Sequence, residues 1–211
     1  MQVPALAYGG SDVPPDTPSP ASHKIAESAV LLEFIADIAP EAELLPKDPV
    51  LRAKARFFAD TATSKFTGAY QPVISRGEDP ENVLSGIEAI QNLLPEEGYA
   101  IGKWSIADAA LTPFLARAEV LLKNDIGKYE EGKGKALWAK VETDPKYARF
   151  RKYLADVKGR DSFKETFYPV SFFFFFSLSF FEIDIPVIGC NQGKILPILC
   201  QNCCLSRWIG V

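Results

Sequence analysis

The stretch GKWSIADAALTPFLAR, residues 102–117, decides how this chain of 211 residues folds. Ser105 followed three residues later by Asp108 predicts a capping box. In such a box the serine hydroxyl accepts from the Asp108 amide and the carboxylate accepts from the Ser105 amide. Trp104 stands where a hydrophobic staple would precede the helix. The following residues are apolar nearly all round, which predicts a helix in the middle of a bundle. This motif stabilises a helix and carries no chemistry.

Amphipathic helices are predicted on both sides of this stretch, from residue 47 to about residue 167. Asp48-Pro49 is an N-cap followed by a proline at the first helical position, and it starts a long helix that runs to about Arg76. Asp79-Pro80 and Asp144-Pro145 repeat this signal. Apolar residues recur every three to four positions in the three helices: Leu51, Ala55, Phe58, Ala62, Phe66 and Tyr70; Val83, Leu84, Ile87, Ile90 and Leu94; Tyr147, Phe150, Leu154 and Val157. We therefore expect a bundle of at least five helices.

The first 46 residues have a different pattern. Val3 to Tyr8 and Lys24 to Ala26 are typical of two short strands, and the loop Gly9 to Pro20 between them favours neither helix nor sheet. A helix is predicted from Ser28 and ends at Pro40. Its apolar residues lie on one side: Leu31, Leu32, Ile35 and Ile38. A start at Ser19-Pro20 has equally good cap chemistry, and periodicity does not separate the two.

These motifs resemble the cytosolic glutathione transferase family. The pattern S-x-A-D-x-x-L-x-P-F-L-x-R resembles the sixth helix of that family, and the preceding GYAIGKW resembles its lead-in. The resemblance implies a mainly α fold. An all-helical C-terminal domain over residues 47–168 would follow the second half, strand-strand-helix, of a thioredoxin-like α/β domain over residues 1–46. The long loop and the text LLEFIADIAPEAELLPKDPVLRAKARFF resemble the fungal-specific class A transferases, which are related to the omega and Ure2p-like groups.

The same resemblance implies a glutathione-binding site near the start of the chain. Val3-Pro4 matches the strand end where the residue before a cis-proline pairs its backbone with the cysteinyl part of glutathione, a form of strand addition. Glu27-Ser28 matches the pair at the start of the family's third helix. Ser28 would bind the γ-glutamyl carboxylate at a helix N-terminus, and Glu27 would pair with its ammonium group. Without the family, Val3-Pro4 is a weak motif, and Ser28 is equally a plain cap preceded by a surface acid.

The function implied by the family is conjugation of glutathione to electrophilic or aromatic compounds, a detoxifying reaction with glutathione as substrate and no cofactor. In the family, the Tyr, Ser or Cys that activates the thiol lies some tens of residues before the Val-Pro strand. We therefore assign no catalytic residue, and expect an N-terminally truncated transferase with little activity, or a thiol transferase ancestry if the missing residue is Cys.

Two other functions stay open. One is a non-catalytic module that holds glutathione or a small hydrophobic or aromatic ligand. A wall for such a ligand would come from aromatic residues that are equally expected in the bundle core: Phe57, Phe58, Phe66 and Tyr70. The other is a structural or dimerisation unit, and a homodimer is compatible with all three functions.

Composition and charge exclude several kinds of partner, location and site. The formal net charge of -4 and the lack of a long basic tract disfavour nucleic acid as a partner. We expect no signal peptide, and no apolar run reaches the about 20 residues that a membrane span needs. Residues 1–189 contain no cysteine, which favours a reducing, cytoplasmic location. His23 is the only histidine, so we expect no metal site. We expect this residue to be solvent-exposed or at a strand edge, and contact with a ligand from the loop is the less favoured alternative.

Residues 169–211 have a composition unlike the rest of the chain. Phe172 to Phe176 is a run of five phenylalanines, which a thymine-rich stretch encodes, and Val170-Ser171 is what a splice-donor sequence encodes when read through. We expect an unstructured or non-native tail, a translated intron. The alternative is a genuine hydrophobic extension that covers the bundle or lies on a membrane surface. Because all the cysteines fall in this tail, we draw no metal or redox inference from them: Cys190, Cys200, Cys203 and Cys204.

Overall fold

The computed structural model describes residues 5–11 and 19–168, in which two short strands and a helix precede a helical bundle. Strand β1 is Ala5–Tyr8, strand β2 is His23–Ala26, and helix α1 is Ser28–Ile38. The strands pair antiparallel, with Ala5 opposite Ala26 and Tyr8 opposite His23. The helix begins at Ser28, so the alternative start at Ser19-Pro20 is wrong. Ser19 instead closes a turn, in which its carbonyl accepts from the Ser22 amide at 3.0 Å.

Within residues 5–11 and 19–168, six α-helices form the bundle, which confirms the prediction of at least five. They are α2 Pro49–Arg76, α3 Asn82–Leu93, α4 Ile106–Lys123, α5 Lys133–Thr143, α6 Ala148–Gly159 and α7 Asp161–Thr166. The sequence analysis missed α5. This helix follows Gly132, whose φ is 87°, and it has no side-chain cap, so the usual start signal is absent. No helix in the described ranges is long and apolar enough to cross a membrane.

The aspartate-proline pairs start turns as well as helices. Asp48 caps α2, where its carboxylate accepts from the Val50 amide at 2.7 Å and the Leu51 amide at 3.4 Å. Asp79 accepts from the Glu81 amide within a turn, and α3 begins only after it. Asp144 caps the 3-10 turn Pro145–Tyr147 that leads into α6. The capping chemistry was predicted correctly, but in two of the three cases the first turn is not α-helical.

The capping box of α4 is present at Ser105 and Asp108. The Asp108 carboxylate accepts from the Ser105 amide at 3.0 Å, from the Ala100 amide at 2.9 Å and from the Tyr153 hydroxyl at 2.9 Å. The Ser105 hydroxyl oxygen accepts from the Ala107 amide at 3.3 Å. Burial raises the pKa of Asp108, and these donors oppose that rise. The box therefore ties the start of α4 to the preceding loop and to α6.

The bundle core lies between α2, α3, α4 and α6, and most predicted apolar residues contribute to it. Three do not. Leu31 is buried but lies outside this core cluster. Leu51 in the first turn of α2 and Ile38 in the last turn of α1 are exposed, because each lies where the buried stripe of its helix begins or ends. Of the aromatic residues considered as a ligand wall, Phe58, Phe66 and Tyr70 are buried in the core, so that interpretation is wrong for them. Phe57 is 61% exposed.

Candidate functional site

The pairing of the two strands brings the start of β1 next to the start of α1. Ala5 lies opposite Ala26, and Glu27 and Ser28 follow directly on the chain. Val3 and Pro4 lie outside the described residues, so their peptide bond and their convergence with Glu27 and Ser28 stay predictions. What the structure gives is one end of a small sheet joined, without a loop, to a helix N-terminus.

Glu27 has an unusual backbone. Its φ is 75° and its ψ is 120°, in a region that residues with a side chain rarely adopt. Such a conformation costs about 1–3 kcal/mol and persists only where the surrounding structure imposes it, often at a ligand site. The Glu27 carbonyl accepts from the Leu31 amide at 2.9 Å, which continues the helix, and its side chain is exposed. Nothing in the local sequence signals this strain.

The N-terminus of α1 has no side-chain cap and no acidic residue in its first turn. The first amides of a helix lack partners within the helix, and the dipole makes this end positive. Ser28 is exposed here and adds a hydroxyl, while the carboxylate of the exposed Glu27 lies one residue away. The pair thus offers donors for a carboxylate and a negative charge for an ammonium group, the two charged groups of an α-amino acid.

Helix α1 rests on the bundle through a few contacts. Leu31, Leu32 and Ala36 are buried, and α1 packs against α4. The linker that follows is anchored at Leu44, which is 1% exposed and whose carbonyl accepts from the Ile106 amide at 3.0 Å. The position of Ser28 relative to the bundle therefore depends on this short packed segment.

The other reactive side chains of the small sheet lie at its far end. Tyr8 and His23 are paired three positions along from Ala5 and Ala26, a distance of about 10 Å. Tyr8 packs edge-on against Phe34, with 5.0 Å between ring centroids, and His23 is exposed. Within the described ranges, no three His, Cys, Asp or Glu side chains are placed to hold a metal ion. The cysteines lie outside those ranges.

A separate cavity of about 410 Å³, which sequence reasoning missed, lies between α4, α6 and α7. Its lining contains neither Glu27 nor Ser28. Lys123 pairs with Glu119 and Glu142, Lys158 also pairs with Glu119, and Lys164 pairs with Asp161. All three lysines of the lining are therefore paired with carboxylates. The sequence signal that could have indicated this cavity is the charged pair Glu119 and Lys123, one turn apart at the end of a largely apolar helix.

The chain is similar in sequence and structure to known proteins. No protein-family model matches the chain. The crystal structure of glutathione transferase Omega 1C from Trametes versicolor is similar with a TM-score of 0.82 and 49% identity, covering 86% of this chain and 76% of that one. Omega 2S from the same organism, in complex with 2,4-dihydroxybenzophenone, has a TM-score of 0.73 and 43% identity, covering 78% of this chain and 71% of that one.

A curated relative matches over a shorter range. A protein named "Probable glutathione S-transferase" from Nicotiana tabacum is 30% identical over 132 residues, which are 60% of this chain and 55% of that protein. The chain thus spans about half the length of the curated relatives it matches.

Proposed function

Since this chain belongs to the glutathione S-transferase family, we propose that it binds glutathione at the junction of the strands with α1. Conjugation of the glutathione thiol to electrophilic or aromatic compounds, a detoxifying reaction, is then the reaction class of the protein. No cofactor takes part, because glutathione is itself the substrate. The observation that carries the proposal is the strained, exposed Glu27 at the uncapped N-terminus of α1.

The γ-glutamyl end of glutathione fits the chemistry of Glu27 and Ser28. Its α-carboxylate would accept from the Ser28 hydroxyl and from first-turn amides, which no side chain caps. Its ammonium group would pair with the Glu27 carboxylate. These charge-assisted hydrogen bonds are about twice as strong as neutral ones, which supports specific binding at an exposed site.

The cysteinyl part of glutathione would add to the sheet along the segment before β1. In this proposal Val3 exchanges backbone hydrogen bonds with the ligand, and Pro4 in a cis bond ends that pairing. The support is the register, because β1 begins opposite the residue before Glu27. A ligand that spans both sites would be held at its backbone and at its charged end.

Conjugation also needs a group that lowers the pKa of the thiol, since the thiolate is the nucleophile. The hydroxyl of Tyr8 and the imidazole of His23 lie at the far end of the sheet from Ala26 and Glu27. We therefore propose that this chain binds glutathione but conjugates it slowly, since neither of these side chains lies beside the proposed glutathione site. We propose a cytoplasmic location, which membership of the family implies.

A dimerisation module is the second candidate function, and exposed apolar side chains favour it. Val30 on α1 and Val50 and Phe57 on α2 are more than half exposed. A second copy of the chain would bury these exposed side chains. Light scattering of the wild type and of Phe57→Ser tests this candidate: a dimer that dissociates in the variant supports it, and a monomeric wild type contradicts it.

Calorimetric titration with glutathione tests the primary proposal. Ser28→Ala and Glu27→Gln should each weaken binding about ten-fold, the loss of one charge-assisted hydrogen bond. Ser75→Ala is the matched control, because the Ser75 hydroxyl only donates to the Gln71 carbonyl on the exposed side of α2. A conjugation assay with a chloronitrobenzene should show little turnover. Absence of glutathione binding, or equal binding by all variants, contradicts the proposal.

A further inference from the structure

The ion pair of Glu33 on α1 with Arg56 on α2 joins the two parts of the molecule. Arg56 Nε donates to Glu33 Oε1 and Arg56 Nη2 donates to Glu33 Oε2, each at 2.7 Å. Two parallel hydrogen bonds between planar groups fix direction as well as distance. In the part of the chain that the structure describes, this is the only ion pair of α1.

Glu33 lies on the helix that carries the candidate site. It is five residues after Ser28, about 7.5 Å along the axis. The helix has 11 residues and buries few of them, so its hold on the bundle is weak. Because a short helix moves as a unit, a shift of α1 at Glu33 is also a shift of the first-turn amides at Ser28.

Arg56 stands on the more rigid partner. Its neighbours Ala55 and Phe58 are buried, and α2 has 28 residues that pack against α3 and α4. One turn earlier, Arg52 Nε donates to the Pro46 carbonyl at 3.1 Å. Two arginines on one face of α2 therefore hold the linker and α1.

The charges of this cluster favour the ionised pair. The hydrogen bond from Arg56 is the main cause that lowers the pKa of Glu33, and the charge of Arg52 lowers it further. On the other side, Glu33 and Asp37 raise the pKa of Arg56. The pair is thus charged at neutral pH, where glutathione binding would take place.

We propose that Arg56 is a positioning residue for glutathione binding: through Glu33 it holds the N-terminus of α1, and with it Glu27 and Ser28, in the geometry that receives the ligand. This inference rests on the proposed function. Arg56 acts through Glu33 and is assigned no contact with the ligand.

Titration of Arg56→Met with glutathione tests the proposal, because methionine keeps much of the side-chain length and removes the charge. The dissociation constant should rise about two- to five-fold, the range for a partly exposed ion pair. The dissociation constant of Arg56→Lys should lie between those of the wild type and Arg56→Met. Lysine keeps the charge but cannot form two parallel hydrogen bonds with the carboxylate. Exchange of the partners, Glu33→Arg with Arg56→Glu, should restore part of the affinity.

Arg76→Met is the matched control. Arg76 lies at the end of the same helix, is 65% exposed against 51% for Arg56, and pairs with Glu78 at 2.7 Å. This pair joins α2 only to its own following loop, so its loss should leave glutathione binding unchanged. Similar melting temperatures of the two variants, with different dissociation constants, are the result that distinguishes positioning from general stability.

Hydrogen exchange without ligand separates this inference from the proposed function. Amides of α1 should exchange faster in Arg56→Met than in Arg76→Met, with no difference in α4. If the wild type binds no glutathione, both the proposed function and the positioning role of Arg56 are contradicted. If the wild type binds, an unchanged dissociation constant or unchanged α1 exchange in Arg56→Met overturns this inference alone.

Discussion

The helical bundle and the strand-strand-helix part differ in what holds them together. The bundle buries large side chains from several helices around one core, and a buried carboxylate network fixes its central helix. The smaller part has two four-residue strands, mostly exposed, and one helix with three buried side chains. Yet the groups suited to bind a charged ligand lie on the smaller part. Binding segments often come from the less stable end of a structure, because a ligand needs exposed polar groups.

The largest effect should come from the bundle, at Asp108. Asp108→Ala leaves the buried amides of Ala100 and Ser105 and the hydroxyl of Tyr153 without their acceptor. At about 1 kcal/mol or more for each donor, we expect a loss of about 3–5 kcal/mol in the free energy of unfolding. Urea denaturation measures it. Asp108→Asn keeps one oxygen acceptor and should lose less, and a loss below about 1 kcal/mol for Asp108→Ala would contradict the network.

The next effect concerns the closest approach of two bundle helices. A Cβ on Gly86 of α3 would lie 3.1 Å from the Phe66 Cα and 3.2 Å from the Ala69 Cβ of α2. Gly86→Val should therefore destabilise the protein by about 2 kcal/mol through overpacking. Gly68→Val is the control, since no atom lies within 4 Å of a Cβ there. It should be neutral or slightly stabilising. Equal effects at both positions in thermal unfolding would show that α2 and α3 are not packed so closely.

In the smaller part, stability and binding should change in opposite directions. Glu27→Gly relieves a positive φ and should stabilise α1 by about 1 kcal/mol or less, while the loss of the carboxylate weakens glutathione binding. Glu43→Gly is the control, because Glu43 also has a positive φ, 50°, but follows the turn after α1. It should gain stability without losing affinity. Thermal unfolding and glutathione titration of both variants measure this, and unchanged affinity in Glu27→Gly would contradict the role of Glu27.

The smallest effect should be the pH dependence of the link between the two parts. Because the folded state lowers the pKa of Glu33, its contribution is complete above the ordinary glutamate pKa of 4.5. It is lost as the pH falls through the lowered value. With both side chains partly exposed, we expect only a few tenths of a kcal/mol. The difference in melting temperature between wild type and Glu33→Gln should therefore shrink from pH 6 to pH 3. A difference that grows on acidification would contradict the sign.

The sequence predicted what local chemistry decides. Asp48 and Ser105 predict the starts of their helices, because a cap acts on amides within three residues. The apolar period predicts most of the core residues. Ile38 and Leu51 fit the apolar period of their helices but are exposed. Periodicity does not show where the neighbouring element that would cover them ends. Helix α5 was missed because a glycine precedes it.

The site was harder to predict than the fold. Glu27 and Ser28 came from family resemblance, and the strain at Glu27 has no local signal because the meeting of a strand with a helix imposes it. The ion pair of Glu33 and Arg56 joins residues 23 apart, and any of several neighbouring charges could have formed it. The roles of Val3 and Pro4 and the nature of the tail after residue 168 lie outside the described residues and stay predictions.

The anchoring of the linker has a consequence for exchanging segments between relatives. Leu44 precedes the first helix of the bundle, yet its side chain belongs to the bundle core and its carbonyl accepts from the first residue of α4. In a chimera joined after residue 46, residue 44 would come from one parent, and the bundle core around it and the Ile106 amide would come from the other. A chimera joined before Leu44 would inherit both partners together. The seam for recombination therefore lies in the 3-10 turn Pro40–Ala42, upstream of the helix that begins at Pro49.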